Sequence, residues 1–230
     1  MNGFYEFDEC EELAQILAED VADSLQIAIS IKGRAMLAVS GGSTPAPFFK
    51  ALAQQPLDFA KLTLIMVDER WVATNHADSS ERLLHEAFAG LPVKIFSLAP
   101  QTNENVDDGA KRLDYALRAA NFSPDIAILG MGDDGHTASL FPNHPALKAG
   151  LSMVGDDFCI AVHDSPKPPA ERVSLTYGAI MRSDAIILHI TGEAKKAVFE
   201  QATTTKDIHT LPISAFIKQS EKPFSIYFAK

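Results

Sequence analysis

Several short, unbroken apolar runs restrict the fold of this chain more than any other feature. "AMLAVS" (35–40), "DIAILG" (125–130) and "AIILHI" (185–190) carry no alternation of apolar and polar residues. Such runs suit strands covered on both faces, as in parallel sheets, where the crossover connections bring helices over them. "LTLIMVDER" (62–70), "KIFSL" (94–98), "FCIAV" (158–162) and "FSIYFA" (224–229) read as further strands. Between them lie segments of helical period. The longest, 8–30, places Leu13, Ile16, Leu17, Val21, Leu25 and Ala28 on one stripe, with Asp8 as the expected N-cap and Gly33 as the stop. "APFFKALAQQ", "SSERLLHEAFAG", "VDDGAKRLDYALRAA" and "GEAKKAVFEQA" complete a β-α alternation over nearly the whole length. The expected class is α/β: one domain over residues 1–230, with a mostly parallel sheet and helices on both faces. No repeat or linker interrupts it, and "HDSPKPPAER" (163–172) reads as a rigid polar surface loop.

Composition narrows the partners. A net charge of −10 argues against nucleic acid, whose phosphates attract basic surfaces. Two cysteines, Cys10 and Cys159, show neither metal-ligand spacing nor a disulfide framework. The first residues lack the basic and apolar regions of a signal peptide, and no apolar run reaches the ~18–20 residues that span a membrane. The expectation is a cytoplasmic protein with no metal and no membrane contact. A small anionic substrate would need a local cluster of cations, so basic residues beside candidate loops become informative.

Ligands of open parallel sheets sit beyond the carboxyl ends of the strands, and four strand ends here carry unusual residues. "SGGSTP" (40–45) joins Gly41 and Gly42 to the hydroxyls of Ser43 and Thr44, with Pro45 suited to a first helical turn. It reads equally as a phosphate-binding turn or as an ordinary strand-to-helix turn, and it lacks the P-loop lysine. "VDERW" (67–71) crowds Asp68, Glu69 and Arg70 at a strand end; taken alone it reads as a solvated cluster, with Trp71 either walling a cleft or filling the core. "GMGDDGHTASLFP" (130–142) puts Gly130, Gly132, Gly135, two aspartates and His136 directly after an apolar strand. An imidazole there can serve as a base near neutral pH, with Asp134 orienting it or stabilising its charged form. The competing reading is a structural loop histidine. In "ERVSLTYGAI" (171–180), Arg172, Ser174 and Thr176 alternate and so point one way if extended. Lys195 falls in the first turn of a helix, an unfavourable place for a cation unless an anion is near, although Lys195 and Lys196 also read as ordinary exposed lysines.

Together "SGGSTP", "VDER", "GMGDDGHTASLFP", "ERVSLT" and "TGEAKK" resemble the 6-phosphogluconolactonase family, in that family's order and across most of the chain. The resemblance implies a Rossmann-like fold shared with glucosamine-6-phosphate deaminases. It implies hydrolysis of 6-phospho-D-glucono-1,5-lactone in the oxidative pentose phosphate pathway, without cofactor, by a monomer or homodimer. It matches His136 to the family's base and Asp134 to the neighbouring acid. Gly41, Gly42, Ser43, Thr44, Asp68, Arg70, Gly132, Arg172 and Lys195 become the expected substrate contacts, with the three cations shared between phosphate and sugar. The deaminases follow their histidine with an Ile-Ala-Phe-Asn-Glu-Pro pattern; here Phe141 stands at the glutamate's place. A catalytically silent sugar-phosphate sensor is a further alternative on the same fold, usually preceded by a DNA-binding module that this sequence does not display.

Overall fold

The computed structural model describes residues 3–152 and 156–230. In order, these form β1 (Gly3–Phe7), α1 (Cys10–Lys32), β2 (Ala35–Val39), α2 (Ala46–Leu52), β3 (Leu62–Met66), β4 (Asp68–Arg70), α3 (Glu81–Ala87), β5 (Lys94–Phe96), α4 (Val106–Ala119), β6 (Ile126–Leu129), α5 (Leu147–Gly150), β7 (Cys159–Val162), β8 (Arg172–Leu175), α6 (Tyr177–Ile180), β9 (Ala185–Thr191), α7 (Glu193–Thr204), α8 (Ser214–Ile217) and β10 (Phe224–Ala229). The apolar runs pair as the parallel reading requires. One sheet has the order β1-β10-β9-β6-β2-β3-β5, and every pair in it is parallel. Helices flank it. From β2 the chain builds outward to β3 and β5, returns to β6 on the other side of β2, and continues to β9 and β10. The direction therefore reverses between β2 and β6, and a crevice opens there at the strands' carboxyl ends.

Helix α1 buries Leu13, Leu17, Val21 and Leu25, spaced four apart, with small residues Ala14, Ala18 and Ala22 filling the stripe. Two expectations fail on this helix. Ile16 lies at the edge of the stripe and stays exposed. Asp8 is not the cap: Glu9 occupies that position without a side-chain hydrogen bond. Asp8 instead takes an ion pair from Lys230 Nζ at 2.7 Å, because β1 and β10 run side by side and bring Phe7 and Lys230 together. Gly33 does end the helix in the left-handed conformation, its N–H donating to Ile29 O.

The larger correction concerns "LTLIMVDER", which is two strands. β3 ends at Met66, and Asp68–Arg70 turns away as β4 into a second, antiparallel sheet of order β4-β8-β7. Val67 is the joint. Its N–H donates to Val39 O of β2 at 2.8 Å, and its carbonyl accepts Leu175 N of β8 at 2.8 Å.

Trp71, just beyond β4, packs on α4. Its indole N–H donates to Glu104 O at 3.0 Å. A Cβ added at Gly109 would lie 2.0 Å from the indole ring, so the glycine forms the notch that receives it. Two effects of Gly109→Ala therefore oppose each other. Helix propensity favours alanine by roughly 0.8–1 kcal/mol, whereas overpacking a rigid ring costs about 1–3 kcal/mol. The expected net result is destabilisation and a shifted emission from this sole tryptophan. A variant that melts higher with unchanged fluorescence would show that the notch does not hold the ring.

Candidate functional site

A cleft of about 400 Å³ opens at the reversal point between β2 and β6. Its walls bring together residues 40–45 after β2, residues 130–133 and 136–138 after β6, Asp68 and Arg70 from β4, Arg172 from β8, and Lys195 from α7. All the expected substrate contacts thus border one cavity, together with His136. Trp71 and Thr176 do not border it. Thr176 caps α6, accepting Ala179 N and donating to Asp157 O.

The turn after β6 is built around His136. Gly132 N–H donates to His136 O and Gly135 N–H to Gly132 O, each at 2.9 Å. The fold needs glycine at both places. A Cβ at Gly132 would sit 2.1 Å from the imidazole, and Gly135 has φ 77 with Leu211 pressed against it. Asp134 lies two residues before His136, and its Oδ1 accepts the imidazole Nδ1–H and also the His136 backbone N–H. Burial pushes the Asp134 carboxyl up, but the hydrogen bond and charge of His136, aided by Lys167, outweigh it and bring the pKa down to about 2. An ionised Asp134 keeps the proton on Nδ1, which leaves Nε2 as the ring nitrogen with a lone pair. The ring of Phe141 lies against the imidazole at 4.7 Å between centroids.

The turn after β2 offers donors. The N–H groups of Gly41, Gly42, Ser43 and Thr44 meet no protein acceptor among the described residues. By contrast, the N–H groups of Gly130, Gly132, Gly135 and His136 are already engaged, Gly130 with Ser40 Oγ at 2.8 Å.

The cations differ from one another. Lys195 is half-buried at the cleft; burial lowers its pKa, Asp133 opposes that, and Lys167 adds to it. Lys196 turns away to Glu6 at 3.0 Å. Arg172 is almost wholly buried, and its Nε and Nη2 donate to the carbonyls of Lys167, Pro168 and Pro169 at 3.1–3.3 Å. Its Nη1 lies 3.8 Å from Asp68, which in turn accepts Ser139 Oγ at 2.6 Å. Arg172 therefore clasps the 167–169 loop as well as facing the cleft. Arg70 stands directly across from Arg172 in the β4–β8 pair, and its Nη1 donates to Asp78 O at 2.6 Å. The "VDER" cluster is thus no solvated surface, since Asp68 is buried and Glu69 fully so.

Among the cleft residues that escaped the sequence reading are Ser80, Lys167, Pro168 and His189. Lys167 belongs to the segment read as a surface loop; a lysine fixed between prolines just before Arg172 was the available signal. His189 was marked by being the sole polar residue within "AIILHI". Among the described residues no cluster of three His, Cys, Asp or Glu forms a metal site, and no helix is long and apolar enough to cross a membrane.

His189 sits under the cleft with Nδ1 buried and unpartnered, its ring edge-on to Phe48. Burial first, and the charge of Lys195 second, push its pKa down to about 4. Its value in the unfolded chain is about 6.5. Between these values the unfolded state binds more protons, so the stability gained from the neutral ring is complete above the unfolded value and is lost as pH falls through the folded one. Urea unfolding should lose on the order of 2–3 kcal/mol from this group between pH 7.5 and pH 4. His189→Leu should flatten that slope. An unchanged slope in the variant would place the titrating group elsewhere.

Comparison with known proteins agrees with this geometry. Residues 8–224 match the family model described as glucosamine-6-phosphate isomerases/6-phosphogluconolactonase. A 6-phosphogluconolactonase of Pseudomonas putida is 40% identical over 227 residues, covering 97% of this chain and 91% of that protein. One from Neisseria meningitidis serogroup B is 38% identical, covering 99% of each. The crystal structure of a 6-phosphogluconolactonase from Shewanella baltica superposes with a TM-score of 0.92 at 34% identity, covering 100% of this chain and 98% of that one. The chain belongs to the glucosamine-6-phosphate isomerase/6-phosphogluconolactonase family.

Proposed function

We propose that the protein hydrolyses 6-phospho-D-glucono-1,5-lactone to 6-phospho-D-gluconate, with His136 activating the attacking water and no metal taking part. The observation that carries this reading is the Asp134–His136 pair in a cation-rimmed cleft, with Phe141 where a deaminase would hold its glutamate. A lactone is an activated ester, so no covalent nucleophile is required. Nε2 of His136 takes a proton from water as the hydroxyl oxygen bonds to C1. The tetrahedral intermediate collapses, the C1–ring oxygen bond breaks, and the same imidazolium returns the proton to the departing ring oxygen. Asp134 holds the tautomer and steadies the cation that forms between the two steps.

The oxyanion at C1 needs aimed donors. Because the N–H groups of Gly130, Gly132, Gly135 and His136 are taken, a cleft cation is the better-supported source. The phosphate is assigned to the turn of Gly41, Gly42, Ser43 and Thr44, whose N–H groups lack protein acceptors among the described residues. Lys195 and Lys167 repel one another across the cleft, and a phosphate dianion would relieve that repulsion. Anchoring the remote phosphate supplies binding energy that orients C1 under the base. The names of relatives 38–40% identical over nearly the whole chain support the same substrate.

The assigned roles differ in what their loss should do. The purified protein should accelerate lactone opening above a protein-free control and release no ammonia from glucosamine 6-phosphate. His136→Asn should lower that excess rate by ~10²–10⁴, chiefly in kcat, because the phosphate contacts are untouched. Near-wild-type turnover in the variant would return His136 to a structural role, and ammonia release would favour the deaminase reaction.

Lys195→Ala should instead weaken binding by about 1.5–3 kcal/mol, the worth of a charge-assisted hydrogen bond, and appear mainly in KM. An unchanged KM would move the phosphate away from Lys195. Prolonged chelation should leave activity intact; loss restored by one metal ion would overturn the metal-free assignment.

A further inference from the structure

Glu69 is fully buried, yet no cation pairs with its carboxylate among the described residues. It instead accepts four hydrogen bonds. Oε1 takes Arg70 N at 2.7 Å and Ser80 N at 2.8 Å; Oε2 takes Ser79 Oγ at 3.0 Å and Glu81 N at 2.6 Å. Burying a carboxylate is costly, and an apolar or amide side chain would fill this space at lower cost. No neutral side chain, however, presents two oxygens that both accept. The carboxylate thus draws residue 70 and residues 79–81 onto one point and closes the loop between them.

Both ends of that closure reach the cleft. Arg70 borders it, and its guanidinium donates to the carbonyl of Asp78, the residue just before the gripped segment. Ser80 borders it as well and packs so tightly on the phosphate-binding turn that a Cβ at Gly41 would lie 2.3 Å from Ser80 Oγ. Glu69 itself does not border the cleft.

We propose that Glu69 is a positioning residue for the reaction: its buried carboxylate sets where Arg70 and Ser80 stand against the substrate. The activity readout rests on the lactonase reading above. A displacement of about 1 Å at such a group is worth up to roughly 10²-fold in rate. Glu69→Gln turns an amide N–H₂ toward two N–H or O–H donors and so loosens the loop without emptying the space.

The test is a double-mutant cycle on the full chain, assayed with 6-phosphogluconolactone. Glu69→Gln should lower kcat/KM about 10- to 100-fold while the protein still melts well above the assay temperature. Because it acts through Arg70 and Ser80, adding Glu69→Gln to Arg70→Ala or to Ser80→Ala should cost clearly less than it does alone, and adding it to the Arg70→Ala/Ser80→Ala double variant should cost less than about twofold more. Fully multiplicative losses in all three backgrounds would sink the proposal, because a general loosening of the fold costs the same in every background. Should Glu69→Gln not fold, Ser79→Ala removes a single donor; it should lose roughly two- to fivefold, and again clearly less in the double variant.

Hydrogen exchange separates this proposal from the lactonase reading. Weakening the Glu69 grip should speed exchange at residues 70 and 79–81 while β6 stays protected. Wild-type protein without lactonase activity but with that exchange pattern refutes the substrate and keeps the positioning role. Unchanged exchange at those amides refutes the positioning role whatever the activity.

Discussion

A single peptide segment holds the two halves of the cleft in register. Val67 donates its N–H to β2 of the parallel sheet and accepts at its carbonyl from β8 of the antiparallel one. The parallel sheet can supply only the segments that leave its strands: the turns at 40–45 and 130–138 and the start of α7. The small sheet supplies Asp68, Arg70 and Arg172 and holds the 167–169 loop. Without the seam at Val67 these groups would have no fixed distance from His136. Ser139 reinforces it, since its hydroxyl binds Asp68 of β4 while its N–H donates to Ser174 Oγ of β8. The His136 turn and the cations are therefore tied together by short bonds at the exit of β3.

Charge is distributed against the global balance. A chain of net charge −10 collects Arg70, Lys167, Arg172 and Lys195 around one cavity. Arg70 and Arg172 stand directly opposite each other across two strands, an arrangement that destabilises a sheet when unrelieved. Here the Asp78 carbonyl relieves Arg70, while Asp68 and three loop carbonyls relieve Arg172. Lys195 has no comparable partner among the described residues, and burial works against its charge. Sites that must hold an anion are often less stable empty than filled. The acidic remainder of the surface does not cancel this local field, because exposed charges beyond a Debye length of ~8–10 Å are largely screened.

The strands were legible in the sequence where burial on both faces removed any alternation, as in "DIAILG" and "AIILHI". Of the small sheet, only β7 was, within "FCIAV". β4 is three residues long, and its direction is decided by hydrogen bonds to β8, more than 100 residues away in sequence. "VDER" therefore read as the end of a strand that in fact stops at Met66. The same limit explains why Glu69 looked solvated. Nothing near it in sequence tells that Ser79, Ser80 and Glu81 fold back upon it. The glycine turn was legible for the opposite reason, because its constraints are local: Gly132 must clear the imidazole, and Gly135 must take a positive φ. His189 lay between these cases, a polar residue out of character with its apolar segment, and Lys167 was marked only by the prolines on either side of it.

Phe141 shapes the surroundings of the imidazole. Its ring lies 4.7 Å from the imidazole and 5.5 Å beneath the Arg172 guanidinium, so it touches His136 and the loop clasp at once. A phenyl ring offers the imidazole no proton partner, so Asp134 is the acid that contacts His136. Under the function proposed above, the imidazole needs only to take a proton from water and give it back. The ring also covers one face of the imidazole. Under the proposed function, a residue with no polar atom in its side chain thereby narrows the reaction class of the site.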